Sequence, residues 1–379
     1  MRPQSSPGEE SLDLVPRFRA ARLEDYPQIA ALESRSGLES TPRDQWEHLW
    51  VNNPAYKRVP DWPIGWVGEN EKNEIICAFM HIPVTYQFAG REVTAATSRG
   101  LVADLRYRGK GLGARLARAT LDQKLAEFVV ISTANANSYK LLESVGFARV
   151  PTGEWGRSAF WITNYRGFLA GALAKKGYPR ILSFPAASIL SLRDRVTKRM
   201  SRSTPVLGQV EICPSFDQRF AVFWEELKRA RPERLLATRS LEVLQWHFHF
   251  ALAEKRLWIL TMQESSRIVA YAIFLRHDNP AFHLKRVRLV DFQALNENAP
   301  VLGPMLLWAL SRCRQEGIHM LEAYGFRPEK QKVLDDLAPY DRALPSWAFY
   351  YGTRNQNWLA QLANPAIWDP SHFDGDASI

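Results

Sequence analysis

Apolar positions along this chain change rhythm at readable places. Ile75 to Gln87, followed by Gly90 to Val93, carry a strand pattern broken by a turn, which predicts a hairpin. Gly100-Leu101-Val102-Ala103-Asp104 predicts a strand that ends in a turn. From Leu112 the spacing is roughly helical, through Leu116, Leu121, Leu125 and Phe128. Phe128-Val129-Val130-Ile131 is a short continuous apolar run and predicts a buried strand. Asn135 to Val145 predicts a second helix, closed by Gly146 as a C-terminal cap. The order is strand, loop, helix, strand, helix.

The loop in that order is Arg106-Tyr107-Arg108-Gly109-Lys110-Gly111-Leu112-Gly113-Ala114-Arg115-Leu116. Glycine lets the backbone approach a ligand and adopt positive φ. Exposed N–H groups at a helix start hold an anion. Arg106, Arg108, Lys110 and Arg115 add positive charge. On glycine spacing alone, a basic loop before a helix is an equal reading. The spacing is not the dinucleotide fingerprint, and no Gly-Lys-Ser/Thr closes it as in a nucleotide-hydrolase P-loop.

Order and residues together resemble the GCN5-related N-acetyltransferase (GNAT) family. Its signature Gln/Arg-x-x-Gly-x-Gly/Ala is met by Arg108, Gly111 and Gly113. A second signature, an Asn followed by a helix ending in Gly-Phe, is met by Asn135 through Gly146-Phe147. Phe18 to Tyr26 also looks like the family's first strand and helix start, continued by Ile29, Ala30 and Leu32. The resemblance covers roughly residues 17 to 165. It implies an α+β fold with a mixed, mostly antiparallel central sheet flanked by helices.

The resemblance also implies a cofactor and a reaction. Acetyl-CoA or another acyl-CoA would bind. Backbone groups of Leu101, Val102 and Ala103 would hold its pantetheine arm and polarise the carbonyl. Arg108 and the amides of Gly109, Lys110, Gly111, Leu112, Gly113 and Ala114 would hold the pyrophosphate, and Asn135 would face the coenzyme. A primary amine would attack directly, through a tetrahedral intermediate. The family's usual Tyr acid falls at Leu142, so Tyr139, one turn earlier, is the candidate acid. His81 is the candidate base, with the loop residues Glu69 and Asp61 or a water chain beside it.

Composition narrows the class. A length of 379 residues suggests two domains. No apolar run reaches the length of a membrane span, and Met1 to Glu10 lacks a signal-peptide core. Cys77, Cys213 and Cys313 show neither metal-ligand spacing nor a disulfide framework, so a cytoplasmic protein with reduced thiols is expected. The histidines form no HxxxH pair, and no metal is expected. A net charge of +9 suits nucleic acid, anionic lipid or a phosphate-bearing small ligand. Coenzyme A accounts for part of it, and nucleic acid is not the expected partner.

The expected organisation is an acetyltransferase domain over 17–165, an apolar–basic linker over 166–205, a GNAT-like domain over 206–355 and a tail over 356–379. Pro179 and Pro185 argue against one long amphipathic helix in the linker. It reads first as a segment packed on both halves, and second as a weak membrane-surface contact through 166–202. The second half repeats the strand and helix order. Its loop, Asn296-Glu297-Asn298-Ala299-Pro300, has no glycine or basic residue, so one coenzyme site per chain is expected. Trp358, Trp368 and Phe373 are expected to staple the tail, whose Asp374 and Asp376 read as solvated. Trp46, Trp50, Tyr56, Trp62 and Trp66 would suit stacking on a sugar ring, pointing to an amino sugar or polysaccharide precursor as the amine acceptor. Two alternatives stand beside this. One is a Fem-like transferase that takes an amino acid from charged tRNA. The other is a non-catalytic CoA-binding module, which Leu142 would favour.

Overall fold

The computed structural model describes residues 16–134, 138–179, 181, 183–196, 210–344 and 348–379. Two mixed sheets organise them. The first contains β1 (Arg17–Ala20), β2 (Gly65–Glu69), β3 (Ile75–Phe88), β4 (Arg91–Ala103), β5 (Phe128–Ala134) and β6 (Ala148–Arg149). The second contains β7 (Arg157–Ile162), β8 (Glu211–Cys213), β10 (Leu257–Glu264), β11 (Arg267–Arg276), β12 (Arg286–Ala294), β13 (Met320–Ala323) and β14 (Tyr340–Ala343). Two further strands, β9 (Leu236–Ala237) and β15 (Ala348–Gly352), come from the second half but join the first sheet.

The strand orders match. They are β1-β2-β3-β4-β5-β15-β6, with β9 added on β3, and β8-β10-β11-β12-β13-β7-β14. In each sheet one pair is parallel and all others are antiparallel. β4 meets β5 over Ala95–Thr97 and Phe128–Val130, and β12 meets β13 over Arg286–Arg288 and Met320–Glu322. The expected α+β fold with its mixed, mostly antiparallel sheet is therefore present, and its order recurs.

The halves exchange strands. β7, inside the range 17–165, lies between β13 and β14 of the second sheet. β15, inside 206–355, lies between β5 and β6 of the first. Each half thus contributes a strand to the other's sheet, and no single cut in the sequence separates the two. Local apolar pattern marks a strand but does not say which sheet takes it.

Hydrophobic burial follows the same plan. β3 is buried on both faces through most of its length, as its unbroken apolar run requires. The helix Leu112–Asp122 buries Leu112, Leu116, Ala117, Thr120 and Leu121 on one face. It stops short of the sequence expectation. The Gln123 side chain accepts from the Leu125 and Ala126 amides, and Leu125 is exposed. One core cluster joins Phe128 and Val130 of the first half, Phe220 and Tyr271 of the second, and Trp358, Trp368 and Phe373 of the tail. The tail aromatics are stapled as expected, but Asp374 is buried against Arg239 and Asp376 accepts from Ser132 Oγ at 2.9 Å. The described residues of the 166–205 segment lie in and between two helices, Tyr165–Lys175 and Ser183–Val196, with Pro179 in the break.

Candidate active site

β4 and β5 part where their parallel ladder ends, after Thr97 and Val130. Beyond that point β4 keeps β3 on one side and, among the described residues, has no strand on the other. A bulge at Gly100, φ +66°, lies between the Ala78–Val102 and Met80–Arg99 pairs. The opening is a cavity of about 930 Å³. Ser98 and Gly100 to Ala103 line it from β4, Ile131 and Ala134 from β5, and Leu141, Leu142 and the cap residue Ser138 from the helix Tyr139–Val145. Arg108, Gly109, Gly111, Leu112 and Gly113 form its rim. Ser98 Oγ is buried there without a hydrogen-bond partner.

The three loop glycines have two roles. Gly109 and Gly111 have φ of +80° and +74°, and a Cβ on either would project into open space. They set the turn and leave room beside the backbone. Gly113 has no positive φ, and its absent Cβ would lie 2.9 Å from Leu141 Cδ1, so it brings two helices together. The first intrahelical bond runs from Arg115 N–H to Gly111 O, 3.1 Å. The amides of Leu112, Gly113 and Ala114 precede it and have no acceptor within the helix. Of the four basic residues around the loop, only Arg108 lines the cleft. Arg106 turns back to Asp104, which Arg35 also reaches, and these partners hold the Asp104 carboxyl far below the usual range. Arg115 stacks over Phe18 at 4.1 Å, and Lys110 sits over Tyr107 at 5.8 Å.

The remaining sequence candidates scatter. Leu101, Val102, Ala103, Gly109, Gly111, Leu112, Gly113 and Arg108 meet at the cleft, while Lys110 on the loop and Ala114 in the first turn of the helix are not in its wall. Asn135 lies outside the described residues. Tyr139 does not line the cavity. Ser138, Leu141 and Leu142 turn toward it, and Tyr139 packs near Arg149. His81 is fully enclosed, with Nε2 2.8 Å from Thr120 Oγ1, and burial holds its pKa down to about 3. It supports the sheet rather than facing the cleft. Glu69 is tied to Arg17 and Arg19, and Asp61 is not in the cavity wall. Trp46, Trp50 and Trp62 are core residues, and the last two donate to His81 O at 2.7 and 3.2 Å. Tyr56 and Trp66 are half-buried, and none of the five lines the cavity.

One residue outside those expectations stands beside the cleft. Glu33, on the helix Tyr26–Arg35, is 7% exposed, and its Oε1 would lie 3.0 Å from a Cβ placed on Gly100. Burial pushes its carboxyl up, against a partial pull from Arg99. The sequence held one signal. Ile29, Leu32 and Glu33 are buried together at i, i+3, i+4 spacing, which puts a carboxylate on the apolar face.

The matching place in the second sheet is occupied by side chains. Arg239 donates to both Asp291 oxygens at 2.8 and 3.0 Å, and Tyr271 and Ser371 complete the carboxylate's shell. Lys330 reaches both oxygens of Asp369 and the Phe292 carbonyl. Arg231 joins Asp369 and the Ala294 carbonyl. Asp369 and Ser371 belong to the tail. A cavity of about 50 Å³ remains. Asn296 and Glu297 take positive φ without being glycine.

No protein-family model and no curated protein matches this sequence. Solved structures match the fold. A GCN5-related N-acetyltransferase from Kribbella flavida aligns with a TM-score of 0.54 at 14% identity, over 90% of this chain and 72% of that one. Saccharomyces cerevisiae N-myristoyltransferase with bound myristoyl-CoA aligns with a TM-score of 0.57 at 12% identity, over 93% and 83%. A GCN5-related N-acetyltransferase from Anabaena variabilis aligns with a TM-score of 0.50 at 12% identity, over 89% and 72%. The likeness is one of fold, and it runs through both halves of the chain.

Proposed function

We propose that this protein is an acyl-CoA-dependent N-acyltransferase acting on a primary amine. One observation carries the reading. The hollow between β4 and β5 has an unpaired strand edge on one wall and a glycine cradle at a helix start on its rim. The fold shared with N-acetyltransferases and N-myristoyltransferases supports it. The residues suit the donor. Gly109 and Gly111 leave open space beside the loop backbone, and the Ser98 hydroxyl is a buried polar group without a partner at the cavity.

Acyl-CoA supplies a carbonyl already activated as a thioester, and phosphates by which it can be held. Arg108 and the amides of Leu112, Gly113 and Ala114 bind phosphate. The free edge of β4, from Ser98 to Ala103, orients the amide-bearing arm by strand-like pairing. Ile131, Leu141 and Leu142 exclude water from the reacting end. Leu142 offers no proton, and none is required, because a thiol has a pKa of about 8.5. Glu33, behind the Gly100 wall rather than in it, would take the proton of the incoming ammonium through a bridging water, its basicity raised by burial. With the tryptophans in the core, an aromatic sugar platform has no support at this cleft, and the acceptor is assigned only as an amine.

Calorimetry with acetyl-CoA tests the reading. One site per chain is expected for the wild type and none for Gly111→Trp. Absence of binding by the wild type would sink the proposal. Thiol release over a panel of amines then separates an enzyme from a pure binding module. Glu33→Gln should lower kcat by about a hundredfold with KM for acyl-CoA unchanged. Because the Glu33 pKa is raised, wild-type rates should fall on acidification at a pH above that of an ordinary carboxylate.

A further inference from the structure

The hairpin of helices Tyr165–Lys175 and Ser183–Val196 lies outside both clefts. Its inner side is satisfied. Phe168 and Leu190 pack on Phe160, Ile162 and Met320, and Asp194 is buried, bonded by Tyr165 at 2.8 Å and by Tyr340. Its outer side carries a row of apolar side chains, with the exposed Ser188 set among them. Ile189, Leu192 and Val196 are 71%, 63% and 74% exposed, and Ile181 and Phe184 are exposed beside them. Residues 178–196 hold six of the thirteen exposed large apolar side chains among the described residues. At about 100° per residue, Phe184, Ile189, Leu192 and Val196 fall within roughly 140° of one another around the axis. Ser183, Ala187 and Asp194 take the buried side.

Charge is concentrated in the same stretch. In the sequence, positions 166 to 202 contain nine Lys and Arg against one acidic residue, Asp194, and Arg180, Lys198, Arg199 and Arg202 of these lie outside the described residues. That is +8 of the chain's +9, so the other residues are almost balanced. We propose that this hairpin docks the protein in the plane of an anionic lipid surface. Aliphatic side chains on one helix face enter the headgroup boundary while Lys and Arg meet lipid phosphate and carboxylate. Neither helix crosses the bilayer, because no described helix is long and apolar enough to do so. A second copy is a poor occupant, because two segments of +8 would face each other. A nucleic acid would find an aliphatic face with few rings to stack on, and Arg166 already covers Phe184 at 3.6 Å.

Vesicle flotation of the full chain tests this. Phosphatidylcholine vesicles containing phosphatidylserine should carry the protein at low salt, and phosphatidylcholine alone should not. The triple variant Ile189→Ser, Leu192→Ser, Val196→Ser should lose about tenfold or more in partitioning, with circular dichroism and CoA binding unchanged. Lys175→Gln with Lys176→Gln should weaken binding and its salt dependence. The proposal is overturned if wild type ignores both vesicles or the triple variant binds equally. It is also overturned if sedimentation shows a dimer that the triple variant abolishes, or if RNA binds through these positions.

Discussion

The first sheet and the second have the same strand order around one parallel pair, yet one opening is about 930 Å³ and the other about 50 Å³. In the first, the wall is small or aliphatic, and the loop leaves space where glycines have no side chain. In the second, Arg231, Lys330 and Asp369 line the opening as paired charges, and the pair of Arg239 with Asp291 of β12 is buried. The positive-φ turn survives there at Asn296 and Glu297, so backbone shape alone does not make a binding cleft. What separates the two is whether side chains and the tail occupy the opening.

The largest effect should come from breaking the buried ion pair at β12. Asp291→Ala leaves the Arg239 guanidinium buried without its main partner and should cost about 3–5 kcal/mol in urea unfolding, with CoA affinity in the first cleft unchanged. If affinity fell in step with stability, the clefts would be coupled rather than separate. Acid should act on both halves together. His81 and His247, one per half, are held at about 3 against an ordinary 6.5. Depressed histidine pKa values give stability that is complete above pH 6.5 and lost as pH falls toward 3. The loss should reach about 4 kcal/mol per residue. Chemical unfolding between those pH values should show one transition, and two would divide the halves. Gly111→Val should weaken CoA by about a hundredfold in calorimetry through strain at positive φ and a blocked rim. Gly113→Ala, which must displace Leu141, should cost only about 1 kcal/mol of stability in urea unfolding. Smallest of all, Glu297→Gly should create no second CoA site, because glycine does not remove the ion pairs behind it.

Much of the first cleft was legible because its signals are local. Glycine spacing, the apolar run Phe128–Ile131 and the Gly146 cap each act within a few residues. Burial defeated the readings that needed distant partners. His81 has a suitable unperturbed pKa, but only the fold places Thr120 against it and removes water. The tryptophan group looked like a platform and proved to be core. Asp374 looked solvated because Arg239, its partner, is remote in sequence. Glu33 was missed because its role depends on a bulge at Gly100 formed by another element. Strand exchange was invisible for the same reason, since the partners of β15, β5 and β6, lie about two hundred residues away in sequence.

That exchange bears on how the protein is made. The first sheet lacks its sixth strand in order, β15, until the chain has been synthesised through Gly352, long after β5 ends at Ala134. An emerging first half would therefore wait on the ribosome with the β5 edge open, exposed to chaperones rather than packed domain by domain. Separate expression of 1–165 and 206–379 should give two chains that are insoluble alone and that recover a fold only when produced together.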